Sequence, residues 1–324
     1  MEDCPKNAKQ LLEDTIKKES SVVLIANTLS RKGKRFYDAA VDEFIKRGIS
    51  IVSSHLVIYP ELLSDVIQDT INQGHKFIVV GGGDGTISSI VDYFAYKDVV
   101  LGILPIGTAN SFARSLGIPM DLKGAIDVIV NGKVVDVDLG KVGDDYFSNA
   151  VAIGFTATVA RNISPKLKRY LGVLAYVLTG MKVFFSHRPF ECRLTISEKT
   201  YTINTHQIIV SNAGQFGITE LDPNASPDNR EFIVFAMDTQ NRWQMLVLWA
   251  AFLLKKSNIF SRSRFFRTKK ILLEAEPPQI VEVDGELTTY TPVCITLASE
   301  ALKVVCCLYF CSYNTSLSYC ILYL

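Results

Sequence analysis

Residues 20–133 alternate between two hydrophobic periods. The run SVVLIAN, Ser21 to Asn27, is apolar without a break, the pattern of a strand covered on both faces of a parallel sheet. Tyr37, Val41, Phe44 and Ile45 then recur at helical spacing, and Gly48 ends that helix. ISIVSSHLVI reads as a second strand. Pro60 opens another helix with Leu63, Val66, Ile67 and Ile71 on one face, closed by Gly74. KFIVV and DVVLGIL are the third and fourth strands. Such alternation predicts an α/β domain, Rossmann-like, with a mostly parallel sheet.

From about Val134 the texture changes. YFSNAVAIGF, ECRLTI, YTINTHQIIVSN, REFIVFAMD, KKILLEAE, QIVEVDGELTTY and PVCITLA are short, β-rich and separated by turn signals. They predict a second, largely antiparallel domain over residues 134–305, interrupted by helical stretches near Lys168 to Phe185 and Asn241 to Lys256. Residues 1–19 read as a charged leader, and residues 306–324 as a tail without a clear period.

Composition narrows the function classes. The chain has 324 residues, enough for two cores, and nearly half are apolar. With 34 basic and 33 acidic residues its net charge is +1, which gives no reason to expect nucleic acid as a partner. The start lacks the apolar stretch of a signal peptide, and the longest clean apolar run, Met245 to Leu254, is short of the ~20 residues that cross a bilayer. The expectation is a cytoplasmic protein, peripheral at most to the inner face of a membrane. There are 7 cysteines and no C-x-x-C pair. Cys306, Cys307 and Cys311 cluster without a nearby histidine, which suits free thiols in a reducing compartment better than a zinc site.

The candidate chemistry sits at the end of the third strand, in IVVGGGDGTISS. Gly81, Gly82 and Gly83 precede Asp84, Gly85 and Thr86 where a strand gives way to a helix. In an open α/β sheet this carboxyl edge is where ligands bind, and glycines let the backbone approach a phosphate. The loop is no Walker A, since no Lys-Ser/Thr follows, and no dinucleotide fingerprint, since Ser88 replaces the last glycine. A bare phosphate would be repelled by Asp84. A triphosphate carrying Mg²⁺ would not, because the carboxylate suits the cation. The fourth strand leads into LPIGTANSFARSLGIP, where Gly107 and Thr108 are expected beside the first loop. Asn110 would hydrogen-bond a nucleotide; the competing reading makes Thr108 a plain helix cap. Asn27 and Thr28 end the first strand, and Lys32, Lys34 and Arg35 follow within reach of phosphates or simply solvated.

GGGDGT, PIGTANSFARSLGIP, VVDVDLGKV and VDGE occur in this order over residues 20–305. Together they resemble the bacterial diacylglycerol-kinase-like lipid kinases, relatives of sphingosine kinases and, more distantly, of NAD kinases. The resemblance implies a two-domain lipid-kinase architecture, an α/β domain plus an antiparallel β-sandwich, with ATP bound in the cleft between them. It implies that Gly82, Gly83, Asp84, Gly85 and Thr86 meet the phosphates, with Asp84 tied to Mg²⁺. Asn27, Gly107, Thr108 and Asn110 match nucleotide-binding positions, and Asp138 matches an acid of the polar network around the metal. Glu286 matches the base that takes a proton from the lipid hydroxyl. Read from the residues alone, Asp284-Gly285 is a hairpin turn that leaves Glu286 an exposed charge, and the two readings are compatible.

Three departures stand out. Ser88 and Ser89 occupy the places of a usual Asn-Glu, and Ser111 replaces a usual aspartate. Where many members carry an Asp-Gly that helps hold a structural Mg²⁺, this chain has Asp228-Asn229-Arg230, so a metal there would rest on Asp228. A lipid acceptor lies in a bilayer, and three stretches suit either a membrane surface or, as apolar helices usually do, packing on their own sheet: KLKRYLGVLAYVLTGMKVFF, WQMLVLWAAFLLKK and SRSRFFRTKK. A homodimer is compatible with the sequence. An NAD-kinase-like small-molecule kinase and a non-catalytic nucleotide-binding protein at a membrane are the alternatives to a lipid kinase.

Overall fold

A computed structural model describes residues 12–13, 16, 20–27, 31–164, 171, 173–217, 219–222, 225–239, 241–253 and 263–307. Most of the leader, the Lys166 to Tyr170 stretch, the basic end of the Trp243 to Lys256 stretch, Arg262 and the tail beyond Cys307 lie outside the described residues. The chain divides into two compact units. Unit 1 holds the described residues up to Val137 and those from Glu300; unit 2 holds Asp138–Ser299.

In unit 1 the chain runs β1 (Ser21–Asn27), α1 (Arg31–Lys46), β2 (Ser50–Val57), a 3₁₀ turn at Pro60–Leu62 and α2 (Leu63–Asn72). It continues through β3 (Phe77–Gly82), α3 (Asp84–Ser88), α4 (Val91–Phe94), β4 (Val100–Pro105), α5 (Ser111–Ser115) and α6 (Leu122–Asn131). The strands pair in the order β2–β1–β3–β4, all parallel. The last strand of the chain, Val293–Cys306, returns to this sheet, with Lys303 and Val304 pairing parallel to Val100 and Leu101. β3 and β4 are buried along their whole length, which is why both read as unbroken apolar runs. On α1, Ala40 and Phe44 face the sheet while Ile45 points outward. The single helix expected after the glycine loop is two: α3 ends at Ser88, and α4 begins only at Val91. Ser89 donates its hydroxyl to the Thr86 carbonyl at 2.9 Å, a local bond that competes with helix continuation.

Unit 2 takes in β5 (Lys133–Val142) from Asp138 onward, β6 (Asp145–Phe147), β7 (Ala150–Gly154), α7 (Phe155–Asn162) and α8 (Val173–Ser186). Then come β8 (Phe190–Ile196), β9 (Lys199–Thr205), β10 (Gln207–Ser211), β11 (Gln215–Phe216), β12 (Thr219–Glu220) and β13 (Phe232–Met237). The last elements are α9 (Arg242–Leu253), β14 (Ser263–Thr268), β15 (Lys270–Glu276), β16 (Ile280–Val283), β17 (Glu286–Tyr290) and β18 (Val293–Cys306). One antiparallel sheet has the order β14–β13–β10–β7–β16–β17. Facing it, β15 pairs with the start of β18 and with β8, and β8 with β9, again antiparallel.

The period of two sorts the central strands between two cores. Val151, Ile153, Ile208, Val210, Val234 and Ala236 fill the space between the sheets, with partners such as Leu194, Ile271 and Ile295 from the facing sheet. The intervening Ala152, Ile209, Ile233, Phe235 and Met237 face outward, where Phe184 of α8 and Met245 and Leu248 of α9 cover them. FIVFAM is therefore apolar throughout because both of its faces are buried. SRFFRT, a segment that suits a membrane surface on sequence, forms the edge strand β14. Phe265 packs on Phe235 and Phe266 on Tyr201. Arg264 bonds Asp238 at 2.7 Å, and Arg267 bonds Glu231 at 2.6 Å and Asp222 at 2.5 Å. Among the described residues no helix is long and apolar enough to cross a membrane.

Candidate active site

Parallel register brings three strand ends of unit 1 to one edge. Ala26 of β1 lies opposite Gly81 of β3, and Gly82 lies opposite Pro105 of β4. Asn27, the Gly82–Thr86 loop and the Gly107–Asn110 loop therefore converge at the carboxyl edge of the sheet. The two loops touch backbone to backbone: a Cβ on Gly107 would stand 2.6 Å from the Gly83 Cα, and one on Gly83 only 3.0 Å from the Gly107 Cα. A Cβ on Gly82 would collide with the Thr86 side chain, which folds back over it. Gly85 faces open space and is exposed. The glycines here serve close approach of one loop to another, and Gly85 leaves room above them.

The polar side chains fix this shape. Asn110 adopts φ 49°, in the left-handed region asparagine tolerates, and is buried. Its side-chain oxygen accepts the Gly107 N–H at 2.8 Å, and its amide donates back to the Gly107 carbonyl at 2.9 Å. Its amide thus closes the loop. Thr108 is exposed and makes no side-chain hydrogen bond to a described residue, and the residue preceding α5 is Asn110, so Thr108 is not its cap. Asn27 donates to the Thr86 hydroxyl at 3.1 Å. The side-chain oxygen of Asn27 is buried without a donor among the described residues. A buried acceptor left open costs about 1–3 kcal/mol, so it asks for a donor from outside the protein.

Asp84 is half-buried where the loops meet. Its carboxylate accepts the Phe112 N–H at 3.3 Å and the Ser111 hydroxyl at 3.5 Å. Burial pushes its pKa up, and the backbone N–H groups of Phe112, Ser111 and Asn110 pull the other way. Ser111, in place of a usual acid, is thus a donor to Asp84 where an aspartate would repel it. The edge fits the phosphates of a nucleotide: glycine walls, an open position at Gly85 and the open Asn27 acceptor. It fits Mg²⁺ as an ion carried in with those phosphates, held by the single carboxylate of Asp84. Among the described residues no three potential ligands cluster to hold a metal on their own.

Asp138 has different surroundings in unit 2. It is 1% exposed. Its carboxylate accepts the Arg230 N–H at 2.9 Å and pairs with the Arg230 guanidinium. Its own N–H donates to the Pro227 carbonyl at 2.8 Å. Arg230 holds φ 61°, a conformation that favours glycine and costs other residues ~1–2 kcal/mol. That geometry delivers both its backbone and its side-chain donors to one carboxylate. Asp228, the expected metal ligand, accepts the Ser226 hydroxyl. The residues do not fit a structural cation at Asp138, because a guanidinium already supplies the positive charge.

Asn212 extends this network, donating to the Asp138 carbonyl at 2.7 Å and the Ser148 carbonyl at 3.2 Å. Ser148 leads to Asp284, a residue that the sequence reading treats only as part of a turn. Asp284 and Gly285 have φ 48° and 92° and close the β16–β17 hairpin, with Val283 opposite Glu286. The Asp284 carboxylate accepts the N–H groups of Ser148 (2.8 Å), Asn149 (2.9 Å) and Ala150 (2.8 Å), and the Ser148 hydroxyl (3.0 Å). Burial drives its pKa up and these donors oppose the shift. The turn is thereby bolted to the start of β7. Glu286 is the first residue past it, exposed, on a hairpin whose position is fixed. The hairpin signal and the aspartate of VDGE were legible in sequence; that the turn residue is the anchor was not.

The diacylglycerol kinase catalytic domain model matches residues 21–142, and the YegS C-terminal NAD kinase beta sandwich-like domain model matches residues 149–306. The chain is 34% identical over 168 residues to a diacylglycerol kinase of Bacillus subtilis, covering 51% of this chain and 55% of that one. It is 26% identical over 220 residues to a diacylglycerol kinase of Staphylococcus saprophyticus, covering 67% of this chain and 72% of that one. A crystal structure of a diacylglycerol kinase from Bacillus anthracis shares the fold, with a TM-score of 0.72 at 23% identity over 89% of this chain and 97% of that one. The chain belongs to the diacylglycerol-kinase-like lipid kinase family.

Proposed function

We propose that the protein transfers the γ-phosphoryl group of ATP to the hydroxyl of a lipid alcohol such as diacylglycerol, in a Mg²⁺-dependent reaction. One observation carries the reading: two glycine loops in backbone contact at a shared strand edge, facing a buried, unanswered Asn27 acceptor. Gly82, Gly83, Gly85 and Gly107 let the phosphates lie against the main chain. Thr86 and Thr108 offer hydroxyls to them, and the Asn27 oxygen accepts from a ribose hydroxyl. Asp84 holds the nucleotide's ion, and the N–H groups from Asn110 to Phe112 keep its carboxylate in place. Mg²⁺, when bound, neutralises charge on the phosphate oxygens.

Glu286 is the base. It takes the proton of the lipid hydroxyl as that oxygen attacks the γ-phosphorus; the new O–P bond forms as the bond to the β-phosphate oxygen breaks, and ADP leaves. Asp284 positions Glu286 through the bolted turn. Such a base contributes ~10²–10⁴ in rate. Labelled ATP and a panel of diacylglycerol, sphingoid base and NAD, run on wild type and Glu286→Ala, test the reading. A labelled lipid from wild type, reduced at least a hundredfold in the variant, supports it. Labelled NAD phosphate alone, or ATP bound without turnover of any acceptor, overturns it.

A further inference from the structure

Asn212 follows the last residue of β10, two strands from β16 in the same sheet, and is buried. Its backbone N–H donates to the Asn149 carbonyl at 2.8 Å. Its side-chain amide donates to the Ser148 carbonyl at 3.2 Å and to the Asp138 carbonyl at 2.7 Å. All the N–H groups of this residue thus go to main-chain carbonyls of unit 2. Its side-chain oxygen is buried without a donor among the described residues. A buried acceptor left open is unfavourable, so an asparagine here is kept for what it donates.

The carbonyls it takes belong to particular peptide units. In a trans peptide the C=O of one residue and the N–H of the next share a plane and point to opposite sides. The Ser148 carbonyl shares its plane with the Asn149 N–H, and the Asn149 carbonyl with the Ala150 N–H. These are the two N–H groups that Asp284 Oδ1 accepts, at 2.9 and 2.8 Å. Asn212 therefore grips the carbonyl side of both planes, and Asp284 the N–H side. A bond to the carbonyl also polarises the peptide and strengthens its N–H as a donor. The other carboxylate oxygen, Oδ2, takes the Ser148 N–H and hydroxyl, and the Asn149 amide donates to that hydroxyl at 3.0 Å. Without Asn212 both planes are freer to tilt, and both donors to Oδ1 tilt with them. The remaining tether ties this cradle to β5 through the Asp138 main chain, and leaves the Asp138 carboxylate to Arg230.

We propose that Asn212 is a positioning residue for Glu286: it orients the two peptide units that hold Asp284, and Asp284 holds the turn that Glu286 follows. The proposal rests on the reading of Glu286 as the base. Asn212→Ala is expected to lower kcat for lipid phosphorylation about tenfold, a part of the ~10²–10⁴ that a base supplies, with the KM for ATP within about twofold of wild type. In a Glu286→Ala background the same substitution changes kcat by less than about twofold, because no base is left to misplace. Thr205→Val is the control. It removes a buried hydroxyl that donates to the Met237 carbonyl at 2.6 Å, on the approach to the opposite end of β10, so it lowers the melting temperature and leaves kcat unchanged. Amide hydrogen exchange reads the cradle without turnover: relative to the amides of β13, those of Asn149 and Ala150 exchange about tenfold faster in Asn212→Ala and unchanged in Thr205→Val. If Asn212→Ala does not fold, Asn212→Ser, which keeps the backbone N–H, carries the same measurements. An unchanged kcat, an equal loss in both backgrounds, or wild-type exchange at both amides overturns the proposal. A Glu286→Ala enzyme as fast as wild type removes the proposed base, and with it the catalytic role of Asn212, while the exchange result still tests the cradle.

Discussion

Asp84 in unit 1 and Asp138 in unit 2 are both carboxylates withdrawn from water, and their surroundings treat them in opposite ways. Asp138 has a cation of its own, since Arg230 brings backbone and side-chain donors to it in a strained conformation. Among the described residues Asp84 has donors without positive charge, and its pKa is pushed up by burial. A carboxylate with an internal counter-ion stabilises a fold. One held at an open glycine edge without a counter-ion can take a cation that arrives with a ligand. The proposed function uses this difference: it gives Asp84 the ligand's ion and leaves Asp138 to the fold, although the sequence reading set both beside a metal.

The sharpest way to break this comparison is to neutralise Asp84. Asp84→Asn is expected to lower kcat/KM for lipid phosphorylation by about 10²–10³, as removal of one preorganised charge contact does. Arg230→Ala is expected to leave turnover per folded molecule within a few-fold. A second test removes the anchor of the Glu286 hairpin. Asp284→Ala leaves three backbone donors of β7 and its approach unmatched, a loss of about 3–5 kcal/mol in thermal unfolding. A shift below about 1 kcal/mol would mean that the turn holds without its bolt.

Next comes the internal cation. Arg230→Gly relieves the strained φ yet uncovers the buried Asp138 charge, for a net loss of about 2 kcal/mol. Millimolar Mg²⁺ is expected to restore part of the lost melting temperature in this variant, while wild type melts identically with Mg²⁺ or chelator. The last effect, silent at neutral pH, concerns a histidine pair that flanks neither aspartate. His206 is fully buried with no partner for either ring nitrogen among the described residues, and its ring lies 5.3 Å from that of His187. Burial, with the nearby charges of His187 and Arg242, lowers its pKa to about 4, and burial lowers that of His187 as well. The unfolded chain therefore binds protons first as pH falls. The stability His206 contributes is complete above about pH 6.5 and declines towards pH 4, by up to about 3 kcal/mol. His206→Phe should flatten the melting temperature across that window.

Much of the fold was legible because burial writes itself into periodicity. SVVLIAN, KFIVV and FIVFAM are unbroken apolar runs since both faces of those strands are covered. The glycine edge was legible too, because three consecutive glycines before an acid have few other uses. What escaped was set by distant partners. SRFFRT reads as a basic aromatic segment, and only its pairing with β13 and the acids at Asp222, Glu231 and Asp238 makes it a strand. Arg230 reads only as a departure from a usual Asp-Gly, and its contact with Asp138, 92 positions earlier, is a distant pairing that no local signal announces. Asp284 reads as a turn residue because turns are local signals, whereas its bonds to Ser148, Asn149 and Ala150 are not.

Electron paramagnetic resonance of bound Mn²⁺, used in place of Mg²⁺, tests the contrast most directly. The account expects no tightly bound Mn²⁺ without nucleotide, one per chain with ATP, and loss of that ion in Asp84→Asn. Tight Mn²⁺ binding without ATP that disappears in Asp138→Asn would contradict it.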